Sequence, residues 1–256
     1  MQVTNSIKDQ IKTIIPNSVL FRLGPFSVGQ YARLMTWYRY GRHHDAPINP
    51  MEIIRVDPTT IEYKMANEDC FFAETDVISE VVDGEWDKHV QKLDEYDLYR
   101  AIVRRIRDGT PWEETDFYAR VERRYETRDY DKWGCSTFDE FRDRLDELDE
   151  LHKTIARDGY KTQRELRRAG NPAPATREIH YYWPPELHEV TINIGRNGEL
   201  IFHEGRHRFA IASALELKNI PVRIKARHYK WQEYRNKIAQ SKHTESEFFQ
   251  HPDLQL

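Results

Sequence analysis

The residues best suited to chemistry form one consecutive run of polar side chains, His203-Glu204-Gly205-Arg206-His207-Arg208. The letters match the zinc motif HExxH, in which two histidines one helical turn apart bind the metal and the glutamate acts as general base. That motif requires a continuous helix, whereas the residues before it have the pattern of a strand and Gly205 marks a change of direction. There is no clear third ligand, since His228 and Glu233 are available but no pattern supports them, and a zinc hydrolase is therefore the weaker interpretation.

The same residues could instead form an anion-binding turn. A strand that ends at a glycine and opens a helix directs free backbone N–H groups and the positive end of the helix dipole to one point. Arg206, His207 and Arg208 would add side-chain donors, and an arginine can hold phosphate oxygens in a bidentate manner. The natural ligand is then a di- or triphosphate. The alternative is that these basic residues only pair with neighbouring carboxylates.

The elements around this turn make a compact unit. Residues 189–203 alternate as two strands around Asn197-Gly198, the preferred two-residue hairpin turn. Residues 206–217 have helical spacing, and residues 220–226 are typical of another strand. We therefore expect the polar turn to lie between a β-hairpin and a helix.

Residues 192–224, INIGRNGELIFHEGRHRFAIASALELKNIPVRI, resemble the ParB/sulfiredoxin superfamily in this context. That superfamily has a strand pair, a G-x-x-R or G-x-H-R turn, a helix and an I-P-V strand. The matching residues are Gly205, His207, Arg208, Ala210 and Ile220-Pro221-Val222. Residues 145–163 resemble its upstream helix and glycine turn, although Gln163-Arg164 stands where the family has Gln-Pro. The resemblance implies an α+β fold with a nucleotide-binding core.

The resemblance also implies the cofactor. Members of the superfamily use ATP, ADP or CTP, so we expect a nucleoside di- or triphosphate with Mg²⁺, held by Gly205, Arg206, His207 and Arg208. The function that this implies is phosphoryl transfer to an unknown acceptor, or hydrolysis of the nucleotide.

Glu204 is the candidate catalytic residue, because an acidic residue precedes the turn glycine in the free serine kinases of this superfamily. It would bind a metal or orient the acceptor, and Glu52 or Asp57 could supply a second base. If Glu204 instead caps the helix that follows, its loss would weaken folding rather than chemistry.

Departures from the family pattern narrow the function. Arg206 stands where sulfiredoxins have their catalytic cysteine, so peroxiredoxin repair is not expected. Residues 230–256 show neither the second CTP-contacting motif of the chromosome-partition ParB proteins nor a helix-turn-helix. DNA is therefore possible but not favoured as a partner, and a nucleotide-gated DNA- or partner-binding module is the alternative function.

The pattern along the chain predicts five regions. They are a basic amphipathic segment (1–50), short strands that could join the core sheet (51–85), a helical insertion (86–170), the ParB/sulfiredoxin-like core (171–235) and a tail (236–256). Residues 171–176 form a Pro-rich connector at one of these boundaries. In the second region, residues 51–56 and 61–65 predict a hairpin around a turn at Asp57-Pro58.

Helix boundaries in the third region can be predicted individually. Thr110-Pro111-Trp112-Glu113 combines a capping threonine with a proline at the first helical position, which predicts a helix start. A second helix is expected to begin after Thr137, because Glu140 completes a capping box, and to end at Gly159.

The N-terminal region is basic, with six Lys or Arg against two Asp in residues 1–50. Two amphipathic helices are expected. One runs through Ile7, Ile11, Ile14 and Ile15, and the other starts at a cap formed by Ser27 to Gln30 and has Val28, Tyr31, Met35 and Tyr38 at helical spacing. With Trp37, Tyr38 and Tyr40 interleaved, this segment could contact nucleic acid, an acidic partner or a membrane surface. The alternative, which the composition favours, is a solvated face above a packed stripe.

Composition excludes several classes of protein. The 256 residues suffice for one large or two ordinary domains, and 12% aromatic residues argue against a disordered chain. A net charge of −4 provides no global attraction to nucleic acid. The longest stretch without a charge, residues 23–32, is half the roughly 20 residues of a membrane-spanning helix. With no signal-peptide pattern and only Cys70 and Cys135, we expect a cytoplasmic protein with reduced thiols.

Overall fold

The computed structural model describes residues 24–66, 77–127, 130–170, 183–241 and 251–254. These residues form a mixed α+β fold. The strands are β1 (Ile53–Val56), β2 (Tyr63–Met65), β3 (Glu80–Val82), β4 (Val90–Lys92), β5 (Val190–Ile194), β6 (Leu200–Glu204) and β7 (Ile220–His228). The helices are α1 (Gly24–Arg39), α2 (Asp97–Arg107), α3 (Asp116–Thr127), α4 (Phe138–Asp158), α5 (Gln163–Arg168), α6 (Arg206–Ala214) and α7 (Tyr229–Gln240).

All seven strands belong to one mixed sheet with the order β1-β7-β5-β6-β2-β4, and β3 also pairs with β7. The central strands β5 and β7 are parallel and buried along their whole length. Their apolar side chains form the main core together with Phe202 and Phe209. Strands from three distant parts of the chain therefore build the sheet around β5 and β7.

The β5–β6 hairpin confirms the Asn197-Gly198 prediction. Gly198 has φ +91°, in the left-handed region that this turn needs and that glycine adopts at little cost. A Cβ atom at this position would also lie 2.7 Å from the ring of Trp231, so packing and backbone conformation both require glycine. The second strand of the hairpin, β6, ends at Glu204, the residue before Gly205.

The predicted hairpin of residues 51–65 is wrong, although both strands exist. Strand β1 pairs with β7, whereas β2 pairs with β6 and β4, so three strands separate β1 from β2. The connection contains the 3-10 turn Pro58–Thr60, in which the Asp57 carboxylate accepts from the backbone N–H of Thr59. It carries the chain across the sheet past Lys218, which lies 3.2 Å from Asp57.

A second hydrophobic cluster joins α2, α3 and α4 to one face of α6. Helix α4 begins with the predicted capping box, in which Thr137 and Glu140 bond to each other's backbone N–H, and it ends at Gly159 with φ +78°. Phe141, Leu145 and other apolar residues at helical spacing are buried along it. This cluster holds the middle of α6, through Ala210 and Ile211, against the helical layer.

Two predicted helix starts are shifted. The segment predicted from Thr110 forms only the 3-10 turn Trp112–Glu114, and α3 begins after Thr115, whose hydroxyl accepts from the Tyr118 N–H at 3.3 Å. Helix α1 begins at Gly24, before the predicted cap at Ser27. In both places the helix begins a few residues away from the local capping pattern.

A buried charged cluster closes the far end of the sheet. The Asp253 carboxylate accepts from Arg227 at 2.6 Å and from the Trp231 indole at 2.8 Å, and Arg235 lies 3.2 Å away. All three charged side chains are fully buried. Burial opposes the ionisation of Asp253, but Arg227 and Arg235 hold its pKa below the usual value.

The predicted helix through Ile7 to Ile15, the connector at 171–176 and Cys70 lie outside the described residues, and Cys135 is a buried free thiol. No helix in the described ranges is both long and apolar enough to cross a membrane.

Candidate functional site

The polar turn is a strand–glycine–helix junction. Strand β6 ends at Glu204, Gly205 adopts φ +90° and ψ +34°, and α6 begins at Arg206. A Cβ atom at Gly205 would lie 3.0 Å from the Cα atom of Val190. Neither the backbone conformation nor the space therefore accommodates a side chain.

The N-terminus of α6 has no capping side chain, because its N-cap residue is Gly205. The backbone N–H groups of Arg206, His207 and Arg208 fall in the first turn, where no intrahelical carbonyl is available. The positive end of the helix dipole adds to these donors. The backbone alone thus makes this point favourable for an anion.

The turn separates the residues of the HExxH motif. His203 and the exposed Glu204 lie on β6, whereas His207 lies on α6. Because the zinc motif needs both histidines on one face of one helix, the required arrangement is not formed. Within the described ranges, no group of three His, Cys, Asp or Glu side chains is placed to hold a metal ion.

Arg208 is held by an ion pair. Its Nη1 donates to Oε2 of Glu189 at 3.2 Å, and its Nη2 donates to the carbonyl of His188. The other Glu189 oxygen accepts from the backbone N–H of Gln163 at 2.5 Å. Burial raises the pKa of Glu189, although the Arg208 guanidinium opposes this. Pairing with a neighbouring carboxylate, one of the two alternatives left open by the sequence, therefore occurs at Arg208.

Cations from two other elements approach the turn. Lys132 lies in the short turn before α4, and Arg144 lies on α4 itself. Burial, followed by the charges of Arg206, Arg144, Lys132 and Arg208, lowers the pKa of His207 to about 3. His207 is therefore neutral at pH 7 inside a cluster of positive charge.

Lys132 is the most unusual member of this cluster. Its ammonium group lies over the rings of Phe117 and Trp133, at 6.0 and 5.5 Å, and it forms no ion pair within the described part of the chain. Burial lowers its pKa, and Arg206 contributes to that lowering. An anion bound here would relieve the repulsion between Lys132 and Arg206.

Trp133 packs beside the turn and has a strained backbone conformation. It has φ +60°, a left-handed conformation that is rare for a bulky residue. Its ring stacks on Phe117 at 5.5 Å and meets the His207 ring edge-on at 4.5 Å. Aromatic packing thus holds Lys132 and His207 together.

Several buried polar atoms beside the turn have no hydrogen-bond partner. They are Trp133 Nε1, Tyr160 Oη, Gln163 Nε2 and His207 Nε2. The Arg208 guanidinium lies over the Tyr160 ring, 6.0 Å from the centre of that ring. Buried polar groups are normally paired, so this cluster gains from any rearrangement or bound group that supplies partners.

In comparisons with known proteins, no family model matches the chain, and neither a curated protein nor a solved structure matches it. A function for this protein is therefore inferred from the residues of the turn and their surroundings.

Neither suggested second base lies at the turn. Asp57 pairs with Lys218, which follows the C-terminal end of α6, whereas the turn is at the N-terminal end of this nine-residue helix, roughly 13 Å away. Glu52 pairs with Arg227 at 3.5 Å, near the C-terminal end of β7. The turn lies near the other end of this strand, where Val222 neighbours Val190. Both suggestions are therefore wrong in placement.

A cavity of about 280 Å³ lies away from the turn, between α4 and the start of α3. Its lining includes Glu113, Asp139, Asp143 and Asp146 against the single cation of Arg142. Such a lining repels a phosphate. This cavity is therefore a poorer candidate for an anion than the turn at Gly205.

The sequence pointed to the turn but missed the supporting residues. Lys132, Trp133 and Arg144 precede the motif by about sixty residues or more, and Glu189 is an ordinary residue at the start of a strand. A clue existed only for Tyr160 and Gln163, which lie in the segment that resembles the family's upstream glycine turn.

Proposed function

We propose that the Gly205 turn binds the phosphates of a nucleoside di- or triphosphate. The observation that carries this proposal is the uncapped N-terminus of α6 together with Lys132, which lies over Phe117 and Trp133 without an ion pair in the described ranges. Arg206 and Arg144 also face His207, although Arg144 is paired with Glu147. Phosphate oxygens would neutralise Lys132 and accept from the backbone N–H groups of the first turn. Arg208, fixed by Glu189, would present its remaining N–H groups rather than its whole guanidinium.

We also propose that the core is of the ParB/sulfiredoxin type. Two features support this: the order of hairpin, glycine turn, helix and strand, with β7 returning parallel to β5, and the contact of the Gly159–Gln163 segment with the turn through Glu189. The second feature is independent of the motif itself, because the segment lies more than forty residues upstream of Gly205.

The finer proposal is Mg²⁺-dependent phosphoryl transfer or hydrolysis with ATP, ADP or CTP. Magnesium in such sites is bound by one or two carboxylates together with the phosphates, and it supplies charge neutralisation. Glu204 is exposed at the end of β6, next to the turn, and fits that role. Glu189 is already bonded to Arg208 and Gln163, so it would position the arginine rather than bind the metal.

A nucleotide-gated binding module is the second candidate. It is favoured by the placement of Glu52 and Asp57, because each pairs with a cation away from the turn. Among the described residues, the carboxylates at the turn are the exposed Glu204 and Glu189, which is already bonded to Arg208 and Gln163, and such a site suits binding better than turnover. The two candidates differ in the role of the nucleotide. In the enzyme it gives up a phosphoryl group to an acceptor, whereas in the module its binding controls the contact with a partner.

The first experiment is a thermal-shift series with ATP, ADP and CTP, each with and without Mg²⁺, on wild type, Lys132→Gln and the control Lys153→Gln. Lys153 is an exposed lysine on α4, away from the turn. Ligand at 100 times its dissociation constant stabilises the native state by about 2.7 kcal/mol. We expect one nucleotide to stabilise wild type and Lys153→Gln, but to have little effect on Lys132→Gln.

Two results would contradict the binding proposal: no shift of wild type with any nucleotide, or the same shift in Lys132→Gln. If binding is found, phosphate release or transfer is measured with Glu204→Gln. Turnover that depends on Glu204 supports the enzyme, whereas binding without turnover in wild type supports the gated module.

A further inference from the structure

Helix α1 exposes an apolar stripe that the rest of the described chain does not cover. Leu34, Trp37 and Tyr38 are 61%, 57% and 50% exposed, whereas Val28 and Ala32 on the opposite face are buried. The stripe is continuous, because residues three and four apart lie on one side of a helix.

Only positive charge borders this stripe along the helix. Residues 24–44 contain Arg33, Arg39 and Arg42 and no Asp or Glu. The Arg42 guanidinium lies over the Tyr38 ring, 4.5 Å from its centre. All three arginines are exposed, so their charges face solvent beside the apolar side chains.

Within the described ranges, the carboxylates near this helix have partners in the protein. Glu80, which accepts from the Tyr40 hydroxyl at 3.5 Å, is buried and pairs with Lys225. Asp45 accepts from Gln240, and Glu233 lies 3.9 Å from His44, on the side facing α7. The outer face of α1 is therefore cationic as well as apolar.

We propose that the outer face of α1 binds an anionic membrane surface. Leu34, Trp37 and Tyr38 would enter the boundary between headgroups and acyl chains, and the arginines would contact the lipid phosphates and carboxylates. This helix lies on the surface rather than crossing it, because its other face is packed into the protein. The proposal does not depend on nucleotide binding at Gly205.

The side chains favour lipid over single-stranded nucleic acid. The most exposed apolar residue is Leu34, which cannot stack on a base, and one face of Tyr38 is covered by Arg42. In the sequence, Ile7, Ile11 and Ile14 also fall at helical spacing beside Lys8 and Lys12, a pattern suited to the same surface, although those residues lie outside the described ranges.

The test is flotation of the full chain with vesicles of phosphatidylcholine alone and of phosphatidylcholine mixed with phosphatidylserine. We expect wild type to float only with the anionic vesicles, and to be released by salt, which screens the arginines. The Arg33→Glu/Arg42→Glu variant should lose binding by roughly 30-fold or more, since each basic residue at such a surface contributes about a factor of five. Leu34→Ser/Trp37→Ser should lose binding as well.

The matched control is Arg123→Glu/Arg157→Glu, which reverses two exposed arginines on other helices and should leave flotation unchanged. Circular dichroism checks that every variant is folded, and the lipid and salt dependence of wild type needs no variant. The proposal is overturned if wild type does not float, if it floats equally with neutral vesicles, or if both α1 variants still float. Binding of a single-stranded oligonucleotide through Trp37 without flotation would overturn it in favour of nucleic acid.

Discussion

Arg208, the arginine of the strand–turn–helix motif, donates to the carboxylate of Glu189 at 3.2 Å and to the carbonyl of His188. Glu189 is 2% exposed and Arg208 15%, so the pair is mostly shielded from water. Substituting Arg208 alone therefore tests two properties at once, binding of a ligand and stability of the fold. This is why Lys132 is the better probe of nucleotide binding.

Breaking the pair from either side should destabilise the protein. Glu189→Gln or Arg208→Gln leaves a buried group without its partner, and each is expected to cost about 3 kcal/mol of unfolding free energy. The double variant should lose less than the sum of the two, by about 1 to 3 kcal/mol. Urea denaturation of the four proteins measures this cycle, and additive losses would mean that the two side chains do not interact.

Gly205→Ala should be more destabilising than another left-handed glycine changed in the same way. At Gly109, φ is +69° and no atom would lie within 4 Å of a new Cβ, so only the conformational cost of about 1–2 kcal/mol applies. At Gly205 the new methyl also meets the backbone of Val190 at 3.0 Å, which should add at least about 1 kcal/mol. Equal losses in urea denaturation would show that the turn can shift away from β5.

The neutral His207, whose Nε2 atom is buried, should make stability depend on pH. Because burial lowers its pKa from 6.5 to about 3 in the folded state, the unfolded chain binds one more proton between these values. Stability is therefore fully present above pH 6.5 and falls as the pH drops toward 3. The contribution to the slope approaches about 1.4 kcal/mol per pH unit.

His207→Gln should remove this part of the slope, whereas His89→Gln, at an exposed position, should retain it. Urea denaturation between about pH 4.5 and 7 covers the useful window. A wild-type slope equal to that of His207→Gln would mean that the imidazole is protonated in the folded protein.

Asp253 should be essential for the far end of the sheet. Asp253→Asn removes the negative charge that faces Arg227 and Arg235, both fully buried, so we expect a loss of about 3–5 kcal/mol. Asp158→Asn, which affects an exposed pair with Arg157, should change stability little. Thermal and urea denaturation compare the two, and similar midpoints would show that the buried arginines find other partners.

Local signals were read correctly from the sequence where neighbouring residues decide the structure. The Asn197-Gly198 turn, the helix break at Gly159 and the capping box of Thr137 and Glu140 each depend on residues within a few positions. The same holds for the junction at Gly205, where one residue without a Cβ links β6 to α6. These local patterns are therefore enough to predict the turn at Gly205 and the elements on either side of it.

Which distant residues meet at that turn depends on how the elements pack in the tertiary structure. Strands β1 and β2 are neighbours in sequence but are separated by three strands in the sheet, and Lys132 reaches Arg206 from over seventy residues away. The pairing of Arg208 with Glu189 is also set by how β5 packs beside α6. Periodicity and capping describe contacts within one element, whereas strand order and charge clusters depend on how whole elements pack, which no local pattern encodes.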